Sequence, residues 1–364
     1  MNPVETPTSS PSARGGALGR WLDERYQLEG LRTFLSHKSV PVTKHFLFYY
    51  LGGVTLWLFI VQVLSGILLL LYYRAGADSS YESVRFLVSE VRFGWLVRSV
   101  HSWSANLMVL SAFLHMFSVY FTRAYQKPRE LTWVSGFVLL VLALGFGFSG
   151  YLLPWNELAF FATKVGTDIV GAVPVIGEPM LVMLRGGEDV TGATLSRFFG
   201  IHVAILPGIF TVVLAMHLLM IQRQGMHEPP APRGEKPKTM PFFPNFMMRD
   251  LLLWIVVLNI LAVLAVFFPW ELGKKADLFA PAPAGIKPEW YFMFMFQTLK
   301  LLPAHIAGIE GEILGILAFG FAGFAWMLVP FLDRRPGNSR RMRVLGAIVV
   351  VYIAIFTVLG WVLS

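Results

Sequence analysis

Four of the eight histidines sit inside stretches otherwise as apolar as lipid. The first, RSVHSWSANLMVLSAFLH from Arg98 to His115, places His101 and His115 fourteen residues apart. Wound as an α-helix, at about 1.5 Å and about 100° per residue, it sets them about 21 Å apart and only about 40° out of line. The second, FFGIHVAILPGIFTVVLAMHLLM, places His202 and His217 fifteen apart. An ionisable group at that depth is costly and usually functional, and neutral imidazole is a common metal ligand. A single histidine in an apolar helix reads more readily as a packing or proton-relay residue. Four at matched spacing on two helices make two pairs at two depths, a layout for two bis-histidine haems stacked across a bilayer. The chain has no cysteine, so iron–sulfur clusters and covalent c-type haem attachment are excluded on this subunit.

The elements that must hold these imidazoles are membrane helices. With 55% hydrophobic and 14% charged residues, the composition is that of a polytopic membrane protein. Apolar runs of spanning length lie at Phe46–Tyr72, Trp95–Phe121, Trp133–Leu153, Phe198–Ile221, Leu251–Trp270, Ile313–Leu332 and Val344–Leu363. Backbone groups at that depth must pair internally, so an all-α fold of seven transmembrane helices is expected. Four form a haem-binding bundle and three follow it. Nineteen of the thirty lysines and arginines fall on the face of the N-terminus and eleven on the other, which places the N-terminus in the cytoplasm. Basic rims account for the net charge of +8, and no nucleic acid partner is expected.

Chain direction then pairs the ligands. The second and fourth spans both run inward, so His101 and His202 share the outer level and His115 and His217 the inner one. The first and third spans carry the same fourteen-residue interval in Gly52 and Gly66, and in Gly136 and Gly150. Close helix packing is one reading of such glycines; room for a porphyrin face at the two ligand levels is the preferred one. Arg98, one turn before His101, has two open readings: a bidentate partner for a haem propionate, or an arginine snorkelling to the interface.

Four segments follow from these boundaries: an N-terminal arm (residues 1–45), the four-helix domain (46–225), a cytoplasmic linker (226–246) and a three-helix domain (247–364). The arm opens on a Pro/Ser/Gly-rich tail with no apolar signal core, so no cleavable signal peptide is expected. Within it, Trp21–Leu35 reads equally as an interfacial helix or as a soluble arm. The linker, Met226–Pro244, is rich in proline with a basic cluster. The long connection from Pro154 to Ser196 holds NELAFFATKVGTDIVGAV, whose helical apolar spacing predicts a lid lying over the outer end of the bundle.

Past the fifth span, Pro288-Glu289-Trp290-Tyr291 sets one carboxylate among aromatics near the outer surface. Buried there, it would have a raised pKa and could accept a proton from a bound hydroxyl; an interfacial belt residue is the other reading. Together FGWLVRSVHSWSANLMVLSAFLHMF, KPRELTWVSGFVLL, SGYLLPWNE, the FFGIHVAILP…MHLLM helix and KPEWYF resemble cytochrome b of the quinol-oxidising cytochrome bc and b6f complexes. The likeness runs from about Trp21 to the C-terminus.

The resemblance implies two non-covalent b-type haems, an outer one on His101 and His202 and an inner one on His115 and His217. It implies that Glu289 and Tyr291 line the outer quinol-oxidation pocket with Pro288 and Trp290 beside them, and that Pro154 and Trp155 lie in the facing loop. Asp250 matches an acidic position of the family's inner quinone site; a water-facing carboxylate at a helix N-terminus is the alternative. The fifteen-residue histidine interval and the phrases KPRELTW and GYLLPW are similar to the b6 form. Seven helices suit b6 plus its small partner subunit, here joined as in a bacterial fusion. Where b6 proteins carry a cysteine in a FYCLGG stretch, this chain reads Phe48-Tyr49-Tyr50-Leu51-Gly52-Gly53. Tyr50 cannot form a thioether bond, so no covalently tethered third haem is expected.

The implied activity is bifurcated quinol oxidation in a bacterial cytoplasmic (inner) membrane, within a homodimeric complex. One electron passes to a Rieske iron–sulfur protein and on to a c-type cytochrome or similar carrier; the other crosses the lipid layer to reduce quinone inside. Protons leave on the outer face and enter on the inner one. Two other classes compete. A cytochrome b anchor of a hydrogenase or formate dehydrogenase would lack the last three helices and the PEWY pocket. A solute transporter would explain intramembrane polar residues but not the matched histidine and glycine ladders.

Overall fold

The computed structural model describes residues 16–27, 30, 38–42, 46–228, 238–334 and 339–363. Among them, six helices are long and apolar enough to cross a membrane: Leu47–Leu70, Gly94–Phe121, Glu130–Leu152, Gly192–Gln224, Phe242–Phe267 and Arg340–Leu363. Their outward faces carry large apolar side chains such as Leu64, Ile67, Val212, Leu252 and Val351, an arrangement that only lipid or a partner could cover. The protein is a multi-pass membrane protein.

In chain order the helices are α1 (Ala17–Tyr26), α2 (Leu51–Leu70), α3 (Ser80–Ser89), α4 (Gly94–Phe121), α5 (Glu130–Leu152), α6 (Glu157–Gly171) and α7 (Gly177–Arg185). They continue with α8 (Gly192–Gly200), α9 (Leu206–Gln224), α10 (Met247–Phe267), α11 (Trp290–Leu301), α12 (Gly311–Met327), α13 (Val329–Leu332) and α14 (Arg340–Leu363). The expected sixth span, Ile313–Leu332, is thus divided between α12 and α13. Pro330 has no N–H to offer the carbonyl of Trp326, and that carbonyl accepts instead from the Trp133 indole at 3.2 Å.

Contacts divide the chain into two compact units: residues 1–43 with 228–251, and residues 44–227 with 252–364. In the first, arm and linker do not stay separate. Strand β1 (Ser39–Pro41) pairs antiparallel with β2 (Thr239–Pro241), Val40 opposite Met240. Of the expected helix Trp21–Leu35, residues 21–26 belong to α1; residues 28, 29 and 31–37, and residues 229–237 of the linker, lie outside the described residues.

In the second unit α2 packs along α4, α5 along α9, and α11 along α14. The connection after α5 is more ordered than a plain lid. Asn156 caps α6 by accepting from the Ala159 N–H at 2.9 Å, and α7 and α8 follow. Phe160 and Phe161 of α6 pack with Leu152, Trp155, Leu195 and Phe198 in a core at the end of the bundle where α5 finishes. Val54, Leu58, Met108, Ala143 and Phe210 form a second core where α2, α4, α5 and α9 meet.

A third core lies at the end where α4 finishes and α5 begins: Tyr120, Tyr125, Trp133 and Val329 meet there, and Tyr120 stacks on Trp326 at 4.4 Å between centroids. It surrounds a buried ion pair. The Arg123 guanidinium donates from Nε at 3.1 Å, and from Nη2, to Asp333 Oδ2. The Tyr125 hydroxyl donates to the same oxygen at 2.6 Å. These contacts fasten the segment after α4 to the segment after α13. Removing one partner of a buried pair strands the other charge, so Asp333→Ala is expected to cost about 3–5 kcal/mol. Unfolding of the detergent-solubilised variant checks this.

Candidate functional site

Helix α4 presents His101 and His115 and the α8–α9 helix presents His202 and His217. The second interval is longer by one residue, and the backbone explains how it still fits. Ile201–Ile205 forms a π-turn in which the Leu206 N–H reaches back to the Ile201 carbonyl. Pro207, which cannot donate to Val203, follows directly. A π-turn accommodates one extra residue in an otherwise α-helical run, and such bulges recur at functional sites. His202 lies within it, so a fifteen-residue interval covers the same two levels as fourteen on α4.

The pairing is visible in the rings. His101 and His202 have centroids 6.4 Å apart with planes at 72°, and His115 lies within electrostatic reach of His217. Two imidazole–metal bonds of about 2.0 Å, plus about 1.1 Å from nitrogen to each ring centre, require about 6.2 Å between centres. The spacing of His101 and His202 therefore fits one iron held between two imidazoles.

The ladder glycines meet the imidazoles themselves. A Cβ at Gly66 would stand 3.3 Å from His101 Cε1, and one at Gly52 would stand 3.1 Å from His115 Cε1. At Gly136 it would stand 3.2 Å from His217 Cε1, and at Gly150 only 2.6 Å from His202 Cε1. Each glycine thus leaves room for one histidine ring at its level. The four contacts also fix partners, α2 backing the two histidines of α4 and α5 backing those of α9 and the π-turn.

The residue before three of these glycines is serine, a signal the sequence reading passed over. Ser65 Oγ lies 2.9 Å from His101 Nδ1, Ser149 Oγ 3.0 Å from His202 Nδ1, and Ser135 Oγ 2.8 Å from His217 Nδ1. Each hydroxyl donates its own proton to a helix carbonyl: Ser65 to Val61 at 2.6 Å, Ser149 to Gly145 at 2.8 Å, Ser135 to Thr132 at 3.0 Å. The serine oxygen must then accept from the ring. That places the proton on Nδ1 and leaves Nε2 as a bare lone pair, the tautomer a metal ligand needs. Gln62 adds a clamp between α2 and α4, donating to the His101 carbonyl and to Ser104 Oγ at 2.6 Å.

Arg98 is 6% exposed, which is not the situation of a snorkelling side chain. It donates to the Trp270 carbonyl, and to that of Glu271 at 3.0 Å. Neither sequence reading anticipated these main-chain partners, which tie the outer end of α4 to the exit of α10.

Glu289 sits immediately before α11 in extended backbone (ψ 150°). Burial pushes its carboxyl above the usual carboxylate range. Tyr151 and Tyr291 both lie within its electrostatic reach. Tyr291 is buried against α5, where a side chain at Gly147 would collide with its hydroxyl. Trp290 turns the other way, its indole donating to Asn106 Oδ1 on α4 at 2.9 Å. Tyr151 and Asn106 lie within SGYLLPWNE and HSWSANLM, but as site neighbours they were not named from the sequence. Trp155 (φ +53°) is 2% exposed and packs with Leu152, Phe160 and Phe198. Its carbonyl accepts from Ala276 at 3.1 Å, and Asn156 Nδ2 donates to Leu272 at 2.7 Å. These bonds join the segment holding Pro154 to the one leading toward Pro288. Asp250 lies in the first turn of α10 and in the first unit.

A helical membrane bundle that presents paired histidines at two levels, three of them with the tautomer fixed by serine, is the architecture of an intramembrane cytochrome. Residues 37–225 match the family described as cytochrome b/b6/petB, and residues 276–364 match cytochrome b(C-terminal)/b6/petD. A cytochrome bc complex cytochrome b subunit from Chlorobaculum thiosulfatiphilum is 45% identical over 366 residues, covering 98% of this chain and 84% of the relative. A solved structure, described as a hyperthermophilic respiratory Complex III, superposes with a TM-score of 0.84 at 29% identity, covering 94% of this chain and 90% of that one. The chain belongs to the cytochrome b family, with the b/b6 domain and the b6/petD-type C-terminal domain on one polypeptide. Binding of b-type haem follows from that membership.

Alanine at the ladder glycines tests the close fit. Gly150→Ala, with the shortest approach, is expected to lose most of the b-type absorbance contributed by the His101/His202 level, and Gly66→Ala to lose less of it. Haem per polypeptide, measured by reduced-minus-oxidised spectra of purified variants, checks the order.

Proposed function

We infer that this protein is the electron-carrying cytochrome b subunit of a quinol-oxidising bc-type complex in a bacterial cytoplasmic membrane. The reading rests above all on the two histidine pairs, each ring backed by glycine and three of them held in the ligating tautomer. His101 and His202 would hold an outer b-type haem and His115 and His217 an inner one. Two such groups supply one-electron transfer across a layer that excludes ions. No covalently tethered third haem is included, because Tyr50 stands where a cysteine would be needed.

The chain's own residues then divide the work. The carboxylate of Glu289 accepts a proton from quinol bound near α11, and its raised pKa lets it hold that proton until it is released outside. Tyr291 and Tyr151 shape the polar end of that pocket; Pro154 and Pro288 border it from the two joined segments. Trp290, anchored on Asn106, fixes the start of α11 and so the position of Glu289. Arg98 retains donors beyond those given to Trp270 and Glu271, which can meet a propionate. Asp250 is assigned to quinone reduction at the inner face. A Rieske protein and a c-type cytochrome or similar carrier take the first electron of each quinol, the complex is homodimeric, and the net result is proton translocation.

His101→Ala or His202→Ala is expected to remove one haem and spare much of the other, read as a halved b-type absorbance; equal loss of both would reject the pairing. Glu289→Gln is expected to slow quinol oxidation with haem content unchanged. In the parent protein the rate should rise with pH as the Glu289 carboxyl ionises, because only the carboxylate can accept the proton. Burial moves that rise above the ordinary carboxylate range. Steady-state rates across pH check both, and a pH profile of the Glu289→Gln variant identical to the parent's would reject the proton-acceptor role.

A further inference from the structure

The four ligand histidines are not supported equally. His101, His202 and His217 each have a serine oxygen 2.8–3.0 Å from Nδ1. His115 Nδ1 is buried and has no hydrogen-bond partner among the described residues. The other three rings also have a main-chain partner, at Gln62, Phe146 and Thr132, and the side chains differ at one position. In the register where Ser65, Ser135 and Ser149 precede Gly66, Gly136 and Gly150, the residue preceding Gly52 is Leu51. Gly52 still backs the His115 ring at 3.1 Å, so the packing is kept and only the acceptor is missing. Nearby hydroxyls are otherwise engaged: Thr55 donates to the Leu51 carbonyl and pairs with Ser111, and Ser118 donates to the His115 carbonyl.

An acceptor on Nδ1–H draws the proton away from the ring and makes Nε2 a stronger electron donor to a bound metal. Stronger donation favours the oxidised metal and lowers its reduction potential, a second-shell effect that haem proteins use for tuning. The outer level has two such acceptors and the inner level one. We propose that Leu51 is a potential-setting residue: by withholding an acceptor from His115 it raises the midpoint of the inner haem relative to the outer one. Electron movement from the outer to the inner level is thereby favoured by a side chain that touches neither haem iron nor quinone. The proposal rests on the haem assignment above.

The test is an optical redox titration of the purified complex, resolving two b-type midpoints, with the inner one assigned by its persistence in His202→Ala. Leu51→Ser is expected to lower the inner midpoint and leave the outer one in place. Leu51→Ala, which changes size without adding an acceptor, should move neither. In the opposite sense, Ser149→Ala should raise the outer midpoint. If Leu51→Ser leaves the inner midpoint unmoved with haem retained, or Leu51→Ala lowers it equally, the proposal is overturned. If Leu51→Ser does not accumulate, Ser135→Ala decides: removing the hydroxyl acceptor of the inner level must raise the inner midpoint, and no change rejects the proposal. A complex holding other than two b-type haems would instead overturn the functional reading, an outcome distinct from unmoved potentials.

Discussion

Everything in the membrane bundle depends on four imidazole rings lying against bare helix backbone. With ring atoms 2.6–3.3 Å from where a Cβ would be, α2 must run close beside α4, and α5 close beside α9. That closeness in turn places Ser65, Ser135 and Ser149 within reach of ring nitrogens. A single steric condition thus sets helix spacing, ligand orientation and protonation state together. The apolar core of Val54, Leu58, Met108, Ala143 and Phe210 then fixes the register of the four helices.

Polar groups within an apolar layer are tolerated only when their hydrogen bonds are made inside the protein. The bundle meets this condition mostly by local loops of bonding. Each supporting serine returns its proton to its own helix, so the ring nitrogen is served without importing a charge. Gln62 and Arg98 direct their donors to carbonyls of other elements, which turns a solvation requirement into tertiary fastening. At the outer end the same logic joins the segment after α5 to the one leading into α11, through Asn156, Trp155 and Ala276. Glu289 differs in having no donor of this kind among the described residues, and its carboxyl is correspondingly held toward the protonated form.

The histidine and glycine ladders were legible because helical periodicity converts sequence interval directly into depth and face. What periodicity could not show was the identity of the atom that each glycine accommodates, since that depends on ring orientation between two helices. The fifteen-residue interval looked like a mark of subtype, and its physical basis lay in Pro207 and the π-turn before it. The serines were in plain view as three Ser-Gly pairs, yet a hydroxyl in a membrane helix ordinarily bonds to its own backbone, which these also do. Trp155 has left-handed backbone and packs with Phe160 and Phe198, a placement that its motif alone did not show. The division of the chain at residues 226–246 followed composition, which could not show that β2 within that segment pairs with β1 of the arm.

The clamp formed by Arg123, Tyr125 and Asp333 bears on how such a subunit can be encoded. It lies wholly within one compact unit and joins the early helices to the late ones through side chains and stacked rings, not through the peptide connecting them. This contact does not run through the peptide that links the two portions. Cut between them, the chain would carry its two complementary halves, the guanidinium and phenol on one piece and the carboxylate on the other.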